Sequence, residues 1–191
     1  MDAILRAAAL LLVEEGFTKA STNAIAARAG VSIGSLYQYF DGKDSIFLAL
    51  MARHSSDVGK IVQAHLSQMD DPRTHVVAAL RRMMLDLVEL HEQDPEVLGA
   101  MERELAPLLA RHEREKHAEF DRLVQRVEGQ LVMRGARRSK LTRSAAWLLA
   151  TTVSGVAHRV VHEAPAGIDR QATIRNTLSM VEGLLAGIGI G

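Results

Sequence analysis

The chain has 191 residues, no cysteine, and equal numbers of basic and acidic side chains, 23 of each. The lack of cysteine excludes disulfide bonds and thiolate metal sites, and the longest apolar runs are too short to span a membrane. The N-terminus has no basic region before its apolar run, unlike a signal peptide, so we expect a cytoplasmic protein without a membrane partner. Four prolines and little strand-like alternation favour an all-α chain.

The first two predicted helices follow closely in the sequence. Residues 2–15 carry apolar side chains at i, i+3, i+4 and i+7, the pattern of a helix with one buried face. Gly16 is expected to end that helix, and Phe17 to pack back into a small core. Thr22 is expected to cap the second helix and Gly30 to end it, because glycine adopts a positive φ at little cost.

A third short helix comes directly afterwards. Ser32 is expected to cap it, and it is predicted to cover residues 33–39. Leu36 and Phe40 lie four residues apart, fall on one face and are expected to pack inward. Two helices across a glycine turn, the second rich in small and hydrogen-bonding residues, indicate a helix-turn-helix.

Longer helices are predicted for the rest of the chain. The first keeps its helical spacing of apolar residues from about Lys43 to Gln68, so it would be about 35–40 Å long and could couple two domains. The later predicted helices cover residues 72–91, 96–105, 107–133, 141–163 and 169–185. Pro72 suits a first helical turn, Asp94 and Pro95 start the next helix, and Pro107 marks a first turn or a kink.

The last two predicted helices are apolar on more than one face, so each must bury more than one face. One face can pack on its own domain and another on a partner subunit. The basic loop before them, RGARRSK at residues 134–140, is interpreted as a solvated connector, and a nucleic-acid patch is the alternative.

The run IAARAGVSIGSLYQYFDGKDSIF, starting at Ile25, closely resembles the DNA-binding motif of TetR-family transcriptional regulators. Strong resemblance covers about residues 4–51, and the rest of the chain is similar to the family in size and helical layout. The matching positions are Ile25, Ala26, Ala29, Gly30, Val31, Ser32, Gly34, Leu36, Tyr37, Tyr39, Phe40 and Lys43.

The resemblance implies an all-α fold with two domains. A three-helix helix-turn-helix domain is expected over residues 1–46, with its motif at about residues 21–40. A long helix joins it to a larger helical ligand-binding and dimerisation domain over residues 47–191. The implied function is a sequence-specific regulator of transcription: a homodimeric repressor, paired through helices 141–163 and 169–185, that a small ligand releases from a palindromic double-stranded DNA operator.

The motif offers two groups of candidate DNA contacts, since residues at the start of the second helix reach base edges while flanking groups hold phosphates. Gln38 suits adenine, and Ile33 suits the methyl group of thymine. The candidate phosphate contacts are Thr22, Tyr39 and Lys43, with Arg28 suited to guanine or phosphate. The candidate groove contacts are Ser32, Ile33, Gly34, Ser35, Tyr37 and Gln38.

The charge of this region is near neutral, with four basic and five acidic side chains in residues 1–45. Nucleic-acid-binding domains are often strongly basic. We therefore expect modest affinity for DNA from one copy of the chain, and a dependence on dimerisation.

The effector pocket is expected among the helices after position 70. An aliphatic lining with methionines favours a lipophilic ligand, whose identity the sequence does not give. Ordinary core packing is the alternative for each residue taken singly. The candidate lining residues are Met83, Met84, Leu87, Met101, Phe120, Trp147, Thr151 and His158.

Two other functions fit an all-α chain: an enzyme and a plain dimeric scaffold. The enzyme has little support, because the sequence has no visible nucleophile–base–acid set and no glycine-rich phosphate loop. His158 and His162, four residues apart, could share a metal, but no matching carboxylate is identifiable. We therefore expect no cofactor, no metal site and no catalytic residue.

Overall fold

The computed structural model describes residues 1–71, 73–110 and 113–190, and within these ranges the chain forms helices and turns without a strand. The prediction of an all-α fold is therefore confirmed. The predicted first helical turn at Pro72 lies outside the described residues. The helices are α1 (Asp2–Lys19), α2 (Thr22–Ala29), α3 (Ile33–Tyr37), α4 (Lys43–Gln68), α5 (Val76–Gln93), α6 (Pro95–Ala110), α7 (Glu113–Met133), α8 (Lys140–His162) and α9 (Arg170–Gly187).

These helices group into two compact units. The first unit comprises Met1–Asp57 and Asp94–Glu113, and the second comprises Val58–Gln93 and Arg114–Gly191. Helix α4 contributes residues to both units, whereas α6 belongs to the first, where it packs against α1. The predicted second domain, residues 47–191, includes α6, whereas the structure groups α6 with the first unit. The predicted domain boundary after residue 46 stays a prediction.

The first unit is built on α1, which continues beyond its predicted end. Gly16 interrupts the helix with a φ of 76°, but helical geometry then resumes and α1 ends at Lys19. The predicted stop at Gly16 is thus a kink, and its positive φ is a conformation that favours glycine. At the kink, Phe17 packs edge-to-face against Phe47, with the ring centroids 5.3 Å apart. The expected core role of Phe17 is therefore confirmed.

Helix α6 contacts this kink through a carboxylate. The backbone N–H of Phe17 donates to Oε2 of Glu104 over 3.2 Å. A Cβ added at Gly16 would lie 3.0 Å from the same oxygen, so the carboxylate would have to move by a few tenths of an ångström to make room for it. The carboxylate therefore replaces part of the helical hydrogen bonding that the kink interrupts.

Pro107 lies inside α6, so the predicted helix boundary near this residue is wrong. Proline removes one backbone hydrogen bond from a helix, which usually ends or bends it. Leu105 and Leu108 on either side of it are buried in the core of the first unit. Their packing offsets the lost hydrogen bond and carries α6 on to Ala110.

The second unit has one apolar core, to which α4, α5, α7, α8 and α9 all contribute. Side chains cap the last two helices: Ser139 accepts the N–H of Thr142 over 3.2 Å, and Asp169 accepts the N–H of Ala172 over 3.1 Å. In the described ranges, no helix combines the length and the hydrophobicity needed to cross a membrane.

The basic loop at residues 134–140 contacts the rest of the second unit. The guanidinium group of Arg134 donates to the carbonyl of Met69 over 2.7 Å, near the end of α4. Arg138 lies 4.0 Å from the buried carboxylate of Glu128. These contacts favour a structural connector over a nucleic-acid patch.

Candidate nucleic-acid interface and apolar cavity

Helix α2 starts one residue earlier than the predicted cap implies. Ser21 caps it, because its backbone is extended and its Oγ accepts the N–H of Ala24 over 3.2 Å. The prediction that Thr22 is the cap is therefore wrong, and the Thr22 hydroxyl makes another contact. Gly30 ends α2 in the left-handed conformation, with φ 69° and ψ 29°, as predicted.

Helix α3 is short and well capped. Ser32 accepts the N–H of Ser35 over 3.0 Å, which confirms the predicted cap, and the hydroxyls of these two serines lie 2.8 Å apart. The helix covers Ile33–Tyr37 rather than 33–39, and the N–H of Tyr39 then bonds the carbonyl of Leu36 over 3.0 Å in a closing turn.

The inner face of the motif is apolar and buried. Ile25 and Leu36 are fully buried and Phe40 nearly so, as their spacing predicts. This packing fixes which face of α3 remains in solvent. Ile33 is 39% exposed and Tyr39 is 60% exposed on the outer side. The structure thus separates a core face from an accessible face within a single short helix.

The two helices of the motif are joined on the outer side. Oγ1 of Thr22 lies 3.2 Å from the hydroxyl of Tyr37, which is 52% exposed. Two predicted contact residues, one at the start of α2 and one at the end of α3, therefore share a hydrogen bond. The exposure of Tyr37 does not favour a role in the core.

Gly34 lies on the exposed surface of α3, next to Gln38 in helical spacing. A Cβ added at Gly34 would meet only Oγ of Ser32 within 4 Å, at 3.8 Å, which is ordinary van der Waals contact. The fold itself therefore does not require glycine at this position. The small residue leaves the backbone of α3 open to close approach from outside.

Lys43 makes contacts inside the first unit. Its Nζ donates to the carbonyl of Phe17 over 2.8 Å and lies 4.5 Å from the centroid of the Phe17 ring. A second carbonyl, that of Thr18, is 3.4 Å away. The ammonium group thus stabilises the C-terminal end of α1, where carbonyl oxygens lack helical partners.

Arg28 forms a bidentate ion pair with Glu14 of α1, and its Nη2 lies 2.6 Å from Oε1. The hydrogen bonds from Arg28 lower the pKa of the Glu14 carboxyl, and those to Glu14 raise the pKa of the guanidinium. The predicted role of Arg28 at DNA remains a prediction, since its side chain is bound to α1 in this structure.

Three residues near the interface were missed by the sequence analysis. Asn23 is exposed in the first turn of α2, beside Thr22, and its amide is a hydrogen-bonding group. Glu14 and Glu104 instead support the motif, through Arg28 and the α1 kink. The type of residue marks Asn23 as a candidate, but the two glutamates have no sequence signal, because their partners are distant in the chain.

A separate apolar cavity lies in the second unit, between α4, α5, α7 and α8. Its lining includes Leu66, Leu80, Leu123 and Leu149, and its volume is about 30 Å³. A water molecule needs about 10–15 Å³ by this measure, so a larger ligand would have to displace side chains.

Gln130 provides a buried polar atom in the lining of this cavity. Its Nε2 donates to Oδ1 of Asp70, which can only accept, and this assigns Oε1 as the amide oxygen. That oxygen is buried and has no hydrogen-bond partner among the described residues. A ligand with a donor group, such as a hydroxyl, would satisfy it.

The predicted pocket residues do not come together. Met83 lines the cavity, whereas Trp147 and Thr151 are exposed on α8. His158 packs with two other histidines. The remaining predicted residues are buried in a core or packed against it: Met84, Leu87 and Phe120 in the second unit, and Met101 in the first.

Residues 4–50 match the family model described as bacterial regulatory proteins of the tetR family. The chain is 34% identical over 79 residues to the HTH-type transcriptional regulator BetI 2 of Chromohalobacter salexigens, a match that covers 40% of this chain and 38% of the relative. It is also 34% identical over 90 residues to the HTH-type transcriptional activator FasR of Mycolicibacterium smegmatis, across 47% of this chain and 41% of the relative.

The whole fold is similar to that of a solved regulator. The structure of the fatty acid degradation regulator FadR from Bacillus halodurans matches 100% of this chain and 96% of its own length, with a TM-score of 0.68 and 22% identity. The matched sequence relatives are transcriptional regulators rather than enzymes, although the chain spans only about two fifths of their length. The matched model, the geometry of the motif and these relatives together show that residues 4–50 form a DNA-binding motif similar to that of the TetR family of bacterial regulatory proteins.

Proposed function

We propose that the chain is a sequence-specific DNA-binding regulator of transcription: a homodimeric, cytoplasmic repressor that a small lipophilic ligand releases from a palindromic operator. One observation carries the proposal. Helix α3 has Leu36 buried on one side, whereas Ile33 and the C-cap residue Gln38 are exposed on the other, in a motif whose caps and turn fix its orientation. A short helix held in this way suits the major groove of DNA.

Phosphate groups are held by hydroxyls and backbone amides. Thr22 and Tyr37 present a linked pair of hydroxyls, and Tyr39 presents a third on an exposed ring. The ammonium of Lys43 is engaged with α1, so its backbone N–H, in the first turn of α4, is the better phosphate donor. Lys43 then contacts DNA through its backbone N–H rather than through its ammonium group.

Bases are read by a small and neutral surface. Gln38 is suited to adenine and Ile33 to the methyl group of thymine. Ser32 and Ser35 add hydroxyls, and Gly34 lets the groove wall approach the helix backbone. Specificity then comes from shape and a few hydrogen bonds.

Arg28 contacts guanine or phosphate only by exchanging its partner. Its guanidinium is bound to Glu14 through two hydrogen bonds. Both groups are solvent-exposed, where such a pair contributes little to stability, so a phosphate can compete with the carboxylate. Arg28 thus contributes to binding in the DNA complex, although Glu14 holds its guanidinium group in the DNA-free protein.

Dimerisation uses α8 and α9. Trp147 and Leu148 on α8 are 50% and 42% exposed, and Met180 on α9 is 72% exposed. Large apolar side chains of this kind on adjacent helices favour burial against a second copy of the chain. A dimer doubles the contacts of a near-neutral motif and places two α3 helices on half-sites about 34–36 Å apart, or a multiple of that.

The effector binds in the apolar cavity of the second unit. Methionines in its lining, Met69 and Met83, can repack around a ligand larger than the present space. FadR of Bacillus halodurans, which shares the fold, is a regulator of fatty acid degradation, and this supports a lipophilic effector. Repression weakens because the ligand prefers a conformation in which the two α3 helices do not match the half-sites.

Activation is the second candidate, and one observation favours it. FasR, 34% identical over 90 residues, is a transcriptional activator. The same DNA contacts serve both roles, and the position of the operator relative to the promoter distinguishes them. A reporter gene under the chain's own upstream region would rise on deletion of a repressor and fall on deletion of an activator.

A footprint on that upstream region tests the proposal. We expect protection of a palindrome. Gln38→Ala should weaken binding to it by about tenfold, because one good side-chain contact to a base is worth about 1–3 kcal/mol. Binding to random DNA should not change.

Gln125→Ala is the matched control, because Gln125 is an exposed glutamine on α7, outside both the motif and the helices assigned to the dimer. It should leave the footprint intact. The absence of any protected site, or equal binding by the Gln38 variant and the wild type, would contradict the assignment of α3 to the groove.

A further inference from the structure

Three histidines of the second unit lie in mutual contact. His91 is on α5, and His158 and His162 lie one turn apart on α8. The ring centroid of His91 is 5.0 Å from that of His158 and 5.6 Å from that of His162, and the two α8 rings are 4.8 Å apart. His91 is 4% exposed, and Nε2 of both α8 histidines is buried. The sequence alone places only the α8 pair together.

The position of the proton on His91 follows from its hydrogen bond. Nδ1 of His91 lies 2.5 Å from the carbonyl oxygen of Leu87. A carbonyl can only accept, so Nδ1 carries the proton and donates it. In the neutral ring the lone pair is then on Nε2. Histidines that bind metals are typically oriented by this kind of N–H bond to a backbone carbonyl.

The spacing of the rings matches a tetrahedral metal site. Metal–nitrogen bonds of about 2.1 Å with tetrahedral angles put the centroids of coordinating imidazoles about 5 Å apart. The three measured separations fall on either side of this value. Neutral imidazole is the form of histidine that binds metals.

A carboxylate is available beside the histidines. Glu163 follows His162 at the end of α8, and one of its oxygens lies within 4.8 Å of a ring nitrogen of His158. The same carboxylate is 3.4 Å from Nε of Arg159, in an exposed ion pair that contributes little to stability. A metal ion can therefore replace Arg159 as its partner.

We propose that His91, His158 and His162 bind a divalent transition-metal ion, with Glu163 as the fourth ligand. Imidazole and carboxylate donors without thiolate suit Zn²⁺, Ni²⁺ or Cu²⁺ rather than Cu⁺. The site is distinct from the apolar cavity, which other residues line. A bound ion would join α5 to α8, two helices that pack together in the second unit.

Titration of the untagged, metal-free protein with Co²⁺ tests this site. We expect one equivalent to bind with the intense visible absorption of four-coordinate Co²⁺, and Zn²⁺ to displace it. Zn²⁺ should also raise the melting temperature, because it binds the folded chain. His158→Gln and His162→Gln should each weaken Co²⁺ binding by about tenfold or more.

His75→Asn is the control, because His75 is an exposed histidine whose ring accepts the N–H of Ala78, a capping role that asparagine can keep. It should bind Co²⁺ as the wild type does. No Co²⁺ absorption in the wild type, or unchanged affinity in both α8 variants with native circular dichroism, overturns the proposal. The measurement contains no DNA, so its failure leaves the operator proposal intact.

Discussion

The two compact units differ in what they bury. Among the described residues, the buried side chains of the first unit are all apolar. The second unit buries a set of polar or charged side chains: His65, His91, Glu128, Gln130, Thr142 and Thr177. Burying such groups costs free energy unless each finds a partner. The core of the second unit therefore depends on particular polar contacts, and the core of the first unit on apolar packing.

Two of these contacts illustrate the difference. Nε2 of His65 on α4 lies 2.6 Å from Oδ2 of Asp86 on α5, and the hydroxyl of Thr142 donates to the carbonyl of Arg137 over 2.5 Å. Polar partners of this kind fix one arrangement of helices but leave less apolar contact area. An apolar core suits a motif that must hold one geometry. A core with polar groups and a cavity suits the ligand binding proposed for the second unit.

Substitutions in the two cores should separate these roles. Leu36→Ala should lower the free energy of unfolding by about 2–5 kcal/mol and abolish operator binding, because it leaves a void under α3. Met83→Leu should cost less than about 1.5 kcal/mol, since it nearly conserves volume in a core that can adapt. Urea denaturation measures both. A larger loss of unfolding free energy for Met83→Leu than for Leu36→Ala would contradict the expected difference between the two cores.

The glycine kink offers a second, smaller test. Gly16→Ala should destabilise the chain by about 1–3 kcal/mol, because its φ of 76° is strained for alanine and the new Cβ would lie 3.0 Å from Glu104. Gly59→Ala is the matched change in α4, where a Cβ meets nothing within 4 Å.

Alanine at position 59 should stabilise the helix by about 0.5–1 kcal/mol. Thermal unfolding of the two variants gives the comparison. Equal effects of the same sign would mean that the kink of α1 carries no special constraint.

The smallest effect on stability is expected in the cavity. Ala150→Val should change the free energy of unfolding by no more than about 1 kcal/mol, because a small space is available beside Ala150. It should nevertheless remove the rise in melting temperature that a lipophilic ligand, found by a thermal screen, gives to the wild type.

Thr151→Val places the same side chain at the next, exposed position of α8 and should respond as the wild type does. Ligand stabilisation that survives in the Ala150 variant would move the effector site elsewhere.

Local features of the motif were predictable because each depends on neighbours in the sequence. Gly30 ends α2 and Ser32 caps α3 as expected, while Ser21 takes the cap assigned to Thr22. Caps in adjacent positions compete, and backbone geometry decides between them. Pro107 shows the opposite case, since buried leucines on both sides override a local breaker.

Features that depend on distant residues were not predictable. Trp147 was assigned to the pocket by residue type, yet it is 50% exposed, because a helix with two apolar faces does not reveal which one is inside. His91 lies near His158 only through the packing of α5 on α8. Glu104 reaches the kink of α1 across a gap of 87 residues.

The internal partners of Lys43 and Arg28 have a consequence for counterions. Residues 1–45 contain four basic side chains, and these two are already bound to carbonyl oxygens and to Glu14. Each phosphate neutralised by a free cation releases a condensed counterion, which steepens the loss of affinity with salt by about 0.9 per contact on logarithmic axes. A protein that holds DNA mainly through hydroxyls and backbone amides releases fewer, so its operator binding should fall less steeply with salt than four phosphate-bound cations would make it fall.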